Sequence, residues 1–494
     1  MTGQGHRANG APMFDPRPVG YVIGLLVLVL GLTMLVPMAL DLYLGDPHWQ
    51  AFFDSAVLTS LAGALLALAC ASGVEKRLTI QQTFLLTTGV WLALPVFGAL
   101  PFVFGATEAR YVDAFFEAMS GLTTTGATVF TGLETLPEGL LLWRGLTQWF
   151  GGIGIIVVAM VFLPELRVGG MQIFRSEGFE TMGKILPRAA EIAKQISVIY
   201  VALTMAAAIV YAALGMAPFD AVVHAMTTVS TGGFSTIDAS FGAFQGPLEY
   251  AAVVFMILAS LPFVRYVQML AGAARPFFAD TQARAYLATI LILTLFFAIY
   301  RFAINGDGLE TGLREALFNV TSIISGTGYS STDYQRWGAE AVVLFFFIGL
   351  IGGCAGSTSC SIKVFRYQLL MTSISTQLKR LYAPHGIFEP RYEGRKVSEE
   401  VLSSVMAFFV MFFVTLGVFA ILLGLTGLDF MTSVSGAAAA LGNIGPGLGP
   451  VIGPAGTYAA LDDSAKWILS AAMLIGRLEL MAVFVLFTTR FWQA

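Results

Sequence analysis

The sequence predicts an all-α polytopic membrane protein. Two leading helices precede four helix–re-entrant loop–helix repeats, set with pseudo-fourfold symmetry around a central pore. Three observations predict this. The chain of 494 residues is 56% hydrophobic and only 12% charged, against roughly 25% charged residues in an ordinary soluble domain. Ten stretches are long and apolar enough to cross a bilayer, at about 20 residues per crossing. A glycine-centred phrase recurs four times at a period of roughly 100 residues, the length of one helix–loop–helix unit.

Composition also excludes functions. The net charge is −4, so no basic face invites nucleic acid; membrane lipid is the expected surround. Cys70, Cys354 and Cys360 lie in or beside apolar stretches and make no disulfide framework. His6, His48, His224 and His385 are far apart and show no metal-ligand spacing. No cofactor is expected in this chain. The first 18 residues are polar, with Arg7 and Arg17, and the apolar run behind them is long enough to remain as a helix rather than a cleaved signal.

The candidate spans are 20–41, 53–72, 82–105, 140–163, 194–214, 249–272, 286–304, 341–372, 402–424 and 466–489. They group into a leading pair (1–78) and four repeats (79–190, 191–283, 284–397 and 398–494). The even count puts both termini on one side. Lys and Arg concentrate in the loops on the side of the termini, and Asp and Glu in the opposite loops. The positive-inside rule therefore places both termini in the cytoplasm.

The repeated phrases are Thr123–Phe130, Ser230–Asp238, Gly326–Tyr334 and Gly442–Gly449. Aligned on one glycine each, they give Gly126, Gly232, Gly328 and Gly445. Asp113, Asp220, Glu315 and Asp429 precede them, as acids in the first turn of a short helix that complement its positive dipole end. Each helix then points its negative end at the membrane centre. Non-helical backbone at that depth requires protein cover or a water-lined cavity, and four such loops around one axis supply the second. A dehydrated cation needs carbonyl oxygens in place of its water, and glycine permits the backbone that aims successive carbonyls at an axis. The expected filter is Thr124-Thr125-Gly126, Ser230-Thr231-Gly232, Gly326-Thr327-Gly328 and Asn443-Ile444-Gly445, a site for monovalent cations.

Other features bear on passage. Span 341–372 is too long for one crossing, and Gly352–Ser361 in its middle is glycine-rich and small, which predicts an unwound stretch. Lys363 beyond it is expected to snorkel inward. Arg477, deep in the last span, faces a cavity or a partner; Glu479, two residues on, lies on nearly the opposite helix face and is not its partner. His224 is expected to buttress the second loop. Gly178–Ile185 has the spacing of a nucleotide loop but offers Ile185 where a hydroxyl would hold magnesium, so it reads as a connector. Residues 373–400 form a second, basic connector with Lys379, Arg380, Arg391, Arg395 and Lys396.

These phrases, together with Gln148–Val157 (QWFGGIGIIV), resemble the membrane subunit of the Trk-type potassium uptake systems of bacteria, in the Trk/Ktr/HKT superfamily, over nearly the whole chain. The resemblance implies potassium uptake across the bacterial inner membrane, with glycine at each filter position favouring potassium over sodium. Asn443-Ile444-Gly445 departs by lacking the threonine before glycine. The resemblance further implies that an intramembrane loop gates the pore. The gate would be Gly352, Gly353, Cys354, Ala355, Gly356, Ser357, Thr358 and Ser359, with Arg477 as the basic residue near the path. It implies a homodimer and a cytosolic ring of nucleotide-binding regulatory subunits on the connectors. A sodium- or proton-coupled symporter could use the same filter. A membrane enzyme would need a catalytic polar cluster that the phrases lack.

Overall fold

The computed structural model describes residues 14–73, 78–161 and 187–493. Gly178–Ile185 and most of the first connector lie outside the described residues. Among those described, the strands are one two-residue pair, Arg391–Tyr392 with Arg395–Lys396; all else that is regular is helical.

The leading pair is Arg17–Thr33 continued by Leu35–Leu44, packed on Trp49–Cys70. The first helix breaks at Met34 because Pro37 has no N–H for the carbonyl of Thr33. The two helices approach closely at Gly24 and Gly63, where an added Cβ would strike the backbone of Ala67 and of Leu28. Small residues set such contacts in membranes, where no hydrophobic effect drives helices together.

Each of four repeats then crosses, re-enters and crosses. The re-entrant helices are Tyr111–Leu122, Pro218–Val229, Leu309–Ser325 and Phe430–Gly442. At 12, 12, 17 and 13 residues they are too short to span. Each packs against the second helix of the preceding repeat: Pro218–Val229 on Glu138–Val161, Leu309–Ser325 on Pro247–Ser260, Phe430–Gly442 on Ala339–Gly349, and Tyr111–Leu122 on Asp463–Arg477. That last contact returns to the start, so the repeats close into a ring. Two large apolar cores hold it, one built mainly from the first and fourth repeats and the other from the second and third.

Helix starts follow local chemistry. Asp113 and Asp220 sit in first turns, and Asp429 caps its helix by accepting from Thr432 N at 3.1 Å. Glu315 does not behave as expected. The third helix starts at Leu309, with Glu310 in its first turn, and Glu315 lies inside it, paired with Arg301 at 2.6 Å.

Two spans expected to be single helices are bent. Pro247–Ser260 turns by 87° into Phe263–Leu270. Pro262 supplies no N–H and favours extended backbone before it, and Leu261 is extended. Asp463–Arg477 turns by 104° into Met481–Phe487, through left-handed Glu479 and Leu480. The expected unwinding of 341–372 is present: Ala339–Gly349 and Val364–Tyr382 flank a non-helical segment.

Candidate permeation site

Every re-entrant helix ends in two residues of positive φ separated by one other. The pairs are Thr124 and Gly126, Thr231 and Gly233, Gly326 and Gly328, and Asn443 and Gly445. The second residue of each pair is glycine, and each abuts a carbonyl of a neighbouring loop. A Cβ on Gly126 would strike the carbonyl of Gly232, and one on Gly233 that of Thr327. On Gly328 it would strike Ile444, and on Gly445 it would lie 2.8 Å from the Thr125 oxygen. These contacts run one way around and close on themselves. The carbonyls of Thr125, Gly232, Thr327 and Ile444 therefore form a ring, all on buried residues.

The second loop is thus shifted by one residue from the sequence alignment. Gly233, not Gly232, is the counterpart of Gly126, Gly328 and Gly445. Gly232 takes the place of Thr125, and Ser230 is the C-cap of its helix rather than a ring residue. The signal was present: Gly126-Ala-Thr128, Gly233-Phe-Ser235 and Gly328-Tyr-Ser330 share glycine, one residue, then a hydroxyl.

Among the described residues, no hydrogen bond reaches the carbonyl oxygens of Thr125, Thr327 or Ile444; that of Gly232 accepts from Gln148 Nε2 at 2.7 Å. Gln148 also accepts from Phe234 N at 3.0 Å, clamping the second loop from the first repeat. Asn443 Nδ2 donates to Thr125 Oγ1 at 3.0 Å and to the Met473 carbonyl at 2.9 Å. Asn443 thus ties the fourth loop to the first, and its side chain is a strut.

A layer of buried ion pairs surrounds the ring. Glu117 pairs with Arg144 at 2.8 Å and accepts from Val129 N at 2.9 Å, while Arg144 donates to the Ser235 carbonyl at 2.6 Å. Lys466 of the fourth repeat pairs with Asp113 of the first at 2.6 Å, and Arg314 of the third with Glu249 of the second. Gly449 N donates to Gln335 Oε1 at 2.6 Å between the fourth and third. His224 is buried, with Nδ1 on the Asp220 carbonyl (2.8 Å) and Nε2 on Ser235 Oγ (3.1 Å), the buttress expected of it. Of these ion-pair members only Asp113 was singled out in sequence, because pairing depends on contacts between distant repeats. An outer cavity reaches all four glycines, Gly126, Gly233, Gly328 and Gly445.

Beneath the ring lies Gly352–Ser361. Its backbone is fastened to the bend of the sixth span: Cys354 N donates to the Ser260 carbonyl (3.0 Å), Thr358 Oγ1 to that of Ala259 (3.0 Å), and Phe263 N to that of Gly356 (3.0 Å). Ala355 N reaches Gln282 Oε1 at 3.0 Å, Gly353 N reaches Ser359 Oγ at 2.8 Å, and Ser357 Oγ the Cys354 carbonyl at 2.7 Å. Helices end with unpaired carbonyls; the bend exposes such carbonyls and the loop uses them. Cys360 sits uppermost, its sulfur 3.6 Å from Thr124 Oγ1 and its backbone under Gly326. Lys363 does not snorkel away: its Nζ turns back onto the Ser359 carbonyl.

Arg477 ends its helix and reaches this loop. It donates to Cys360 Sγ (2.5 Å), the Thr358 carbonyl (3.4 Å) and the Gly151 carbonyl (3.3 Å). Glu479 lies past the end of that helix, in the bend, and pairs with Arg366 instead.

This geometry defines a multi-pass helical membrane protein with re-entrant loops closed around one axis. Comparison with known proteins agrees. The TrkH family model, described as a cation transport protein, matches residues 48–494. The Trk system potassium uptake protein TrkI of Halomonas elongata is 42% identical, over 96% of this chain and 97% of that one. The Trk system potassium uptake protein TrkH of Escherichia coli K12 is 36% identical, over 97% and 99%. The crystal structure of the potassium transporter TrkH from Vibrio parahaemolyticus superposes with a TM-score of 0.89 at 33% identity, over 97% of this chain and all of that one. The chain belongs to the TrkH family of cation transport proteins.

Proposed function

We propose that this chain is the membrane subunit of a potassium uptake system and that potassium passes through the ring formed by Thr124–Gly126, Thr231–Gly233, Gly326–Gly328 and Asn443–Gly445. The observation that carries this is the ring itself: four buried carbonyls, three without a donor among the described residues. A buried carbonyl left unpaired costs about 1–3 kcal/mol, and a dehydrated cation at the axis offsets that cost while regaining its oxygen shell. The names of the relatives, potassium uptake proteins, support the choice of cation.

Gly352–Ser361 is the gate and Arg477 its latch, since the loop lies under the ring and Arg477 bonds it from another repeat. The protein works in the bacterial inner membrane with both termini cytoplasmic, divided as a leading pair and four repeats at 78, 190, 283 and 397. It acts as a homodimer and docks a cytosolic nucleotide-binding subunit on its connectors; the word "system" in the relatives' names supports such a partner. The test is tracer rubidium uptake into liposomes holding this chain, with competing potassium or sodium. Competition by potassium alone supports the reading; equal competition by sodium overturns the selectivity. If the intact chain is shut, a chain lacking Gly353–Ser359 separates a closed pore from none.

A further inference from the structure

Beneath the ring, one cavity is bordered by Ser359, Cys360, Lys363, Asn443 and Arg477. Cys360 brings a sulfur to a place where every other donor is oxygen or nitrogen, 3.6 Å below the Thr124 hydroxyl. Two further groups on this cavity are unsatisfied. Asn443 Oδ1, an acceptor only, is buried without a hydrogen-bond partner among the described residues, as is Arg477 Nε, on side chains of residues 1% and 4% exposed. Among the described residues, neither Arg477 nor Lys363 has a carboxylate within ion-pair reach. The cavity therefore holds an unused oxygen acceptor and a soft sulfur, with the Glu479 carboxylate, paired to Arg366, on its border.

We propose that Cys360 is a capture site for soft monovalent cations, of the silver(I) and copper(I) class, inside the permeation path; this rests on the reading of the ring as that path. A monovalent ion enters by the same carbonyls as potassium and then meets the sulfur. Potassium, a hard ion, gains nothing there over oxygen and moves on. A soft d10 ion prefers thiolate. Capture forms one S–Ag bond and breaks the S–H bond, whose proton leaves to water. No electron is transferred, and one charge enters for each that departs, so the nearby cations oppose the exchange little. The Arg477 N–H already directed at the sulfur gives the thiolate a charge-assisted donor. Asn443 Oδ1 and the Thr124 hydroxyl border the bound ion as weaker oxygens.

The test uses the full chain in chloride-free liposomes, with silver nitrate as the probe. After brief exposure the protein is denatured in an alkylating reagent and its cysteine peptides are quantified. Cys360 is expected to lose at least tenfold of its alkylation at one silver per chain, and to regain it after thiosulfate. Rubidium uptake, taken relative to each protein's own silver-free rate, is expected to fall with wild type and with Cys70→Ala. Cys360→Ser is expected to need at least tenfold more silver. Full alkylation of Cys360 in the presence of silver, or unaltered sensitivity of Cys360→Ser, overturns the proposal. Protection of Cys360 in a chain that passes no rubidium under any condition upholds the capture site and overturns the permeation reading instead.

Discussion

Gly233 shows how far one residue can be read from sequence. Three of the four ring glycines, Gly126, Gly328 and Gly445, were legible because glycine is the residue that a left-handed backbone in contact with a neighbouring carbonyl demands. In the second loop two glycines are adjacent, and the Thr-Gly step alone does not say which one turns. The spacing does: Asp113, Asp220 and Glu315 stand the same distance before Gly126, Gly233 and Gly328. Gln148 was legible only as part of a family-like phrase; its role needed coordinates. Gln148→Leu leaves Phe234 N without its acceptor, at a cost of about 1–3 kcal/mol. Reduced rubidium uptake with a lowered Tm is the expected result. Glu117→Gln breaks a pair whose side chains are both buried, and losing one partner of such a pair costs about 3–5 kcal/mol. Thermal unfolding in detergent is expected to show a clear drop in Tm, and an unchanged Tm would remove the pair from the framework.

At the scale of elements, hydropathy placed the spans well because bilayer thickness sets their length. It failed at the two sharp bends, since Pro247–Leu270 and Asp463–Phe487 stay apolar straight through them. Pro262 was a visible cue for the first bend. Nothing local marked the second, where the Arg366–Glu479 pair and left-handed Glu479 act together. The first bend and the intramembrane loop form one device, because the carbonyls of Ala259 and Ser260 hold the loop. Deleting Gly353–Ser359 is expected to raise basal rubidium flux severalfold; equal or lower flux in folded protein would remove the loop as gate. Arg477→Gln shortens the side chain and drops its charge, so it no longer reaches the loop as a cation. If Arg477 latches the loop, this variant too is expected to raise basal flux, by less than the deletion.

For the whole molecule, the repeat period in the sequence foretold the fourfold arrangement, since four hairpins that each leave a re-entrant loop unsatisfied must meet. It did not foretell how the ring is fastened. The Lys466–Asp113 and Arg314–Glu249 pairs join residues hundreds or tens of positions apart, and no pattern along the chain reports them. Orientation is a property of the whole chain too. A fluorescent protein fused after Ala494 is expected to fold in the cytoplasm, whereas an exported phosphatase at the same place is expected to stay inactive; the reverse pair would invert the topology.

The central claim is that the four loops form one ring that selects among cations at its carbonyls. Gly233→Ser tests it most directly, because a side chain there meets the Thr327 carbonyl of the next loop. In protein that reaches normal abundance and assembly, the ratio of rubidium to sodium permeation, measured in liposomes, is expected to fall at least severalfold. An unchanged ratio would contradict the ring as the place where cations are chosen.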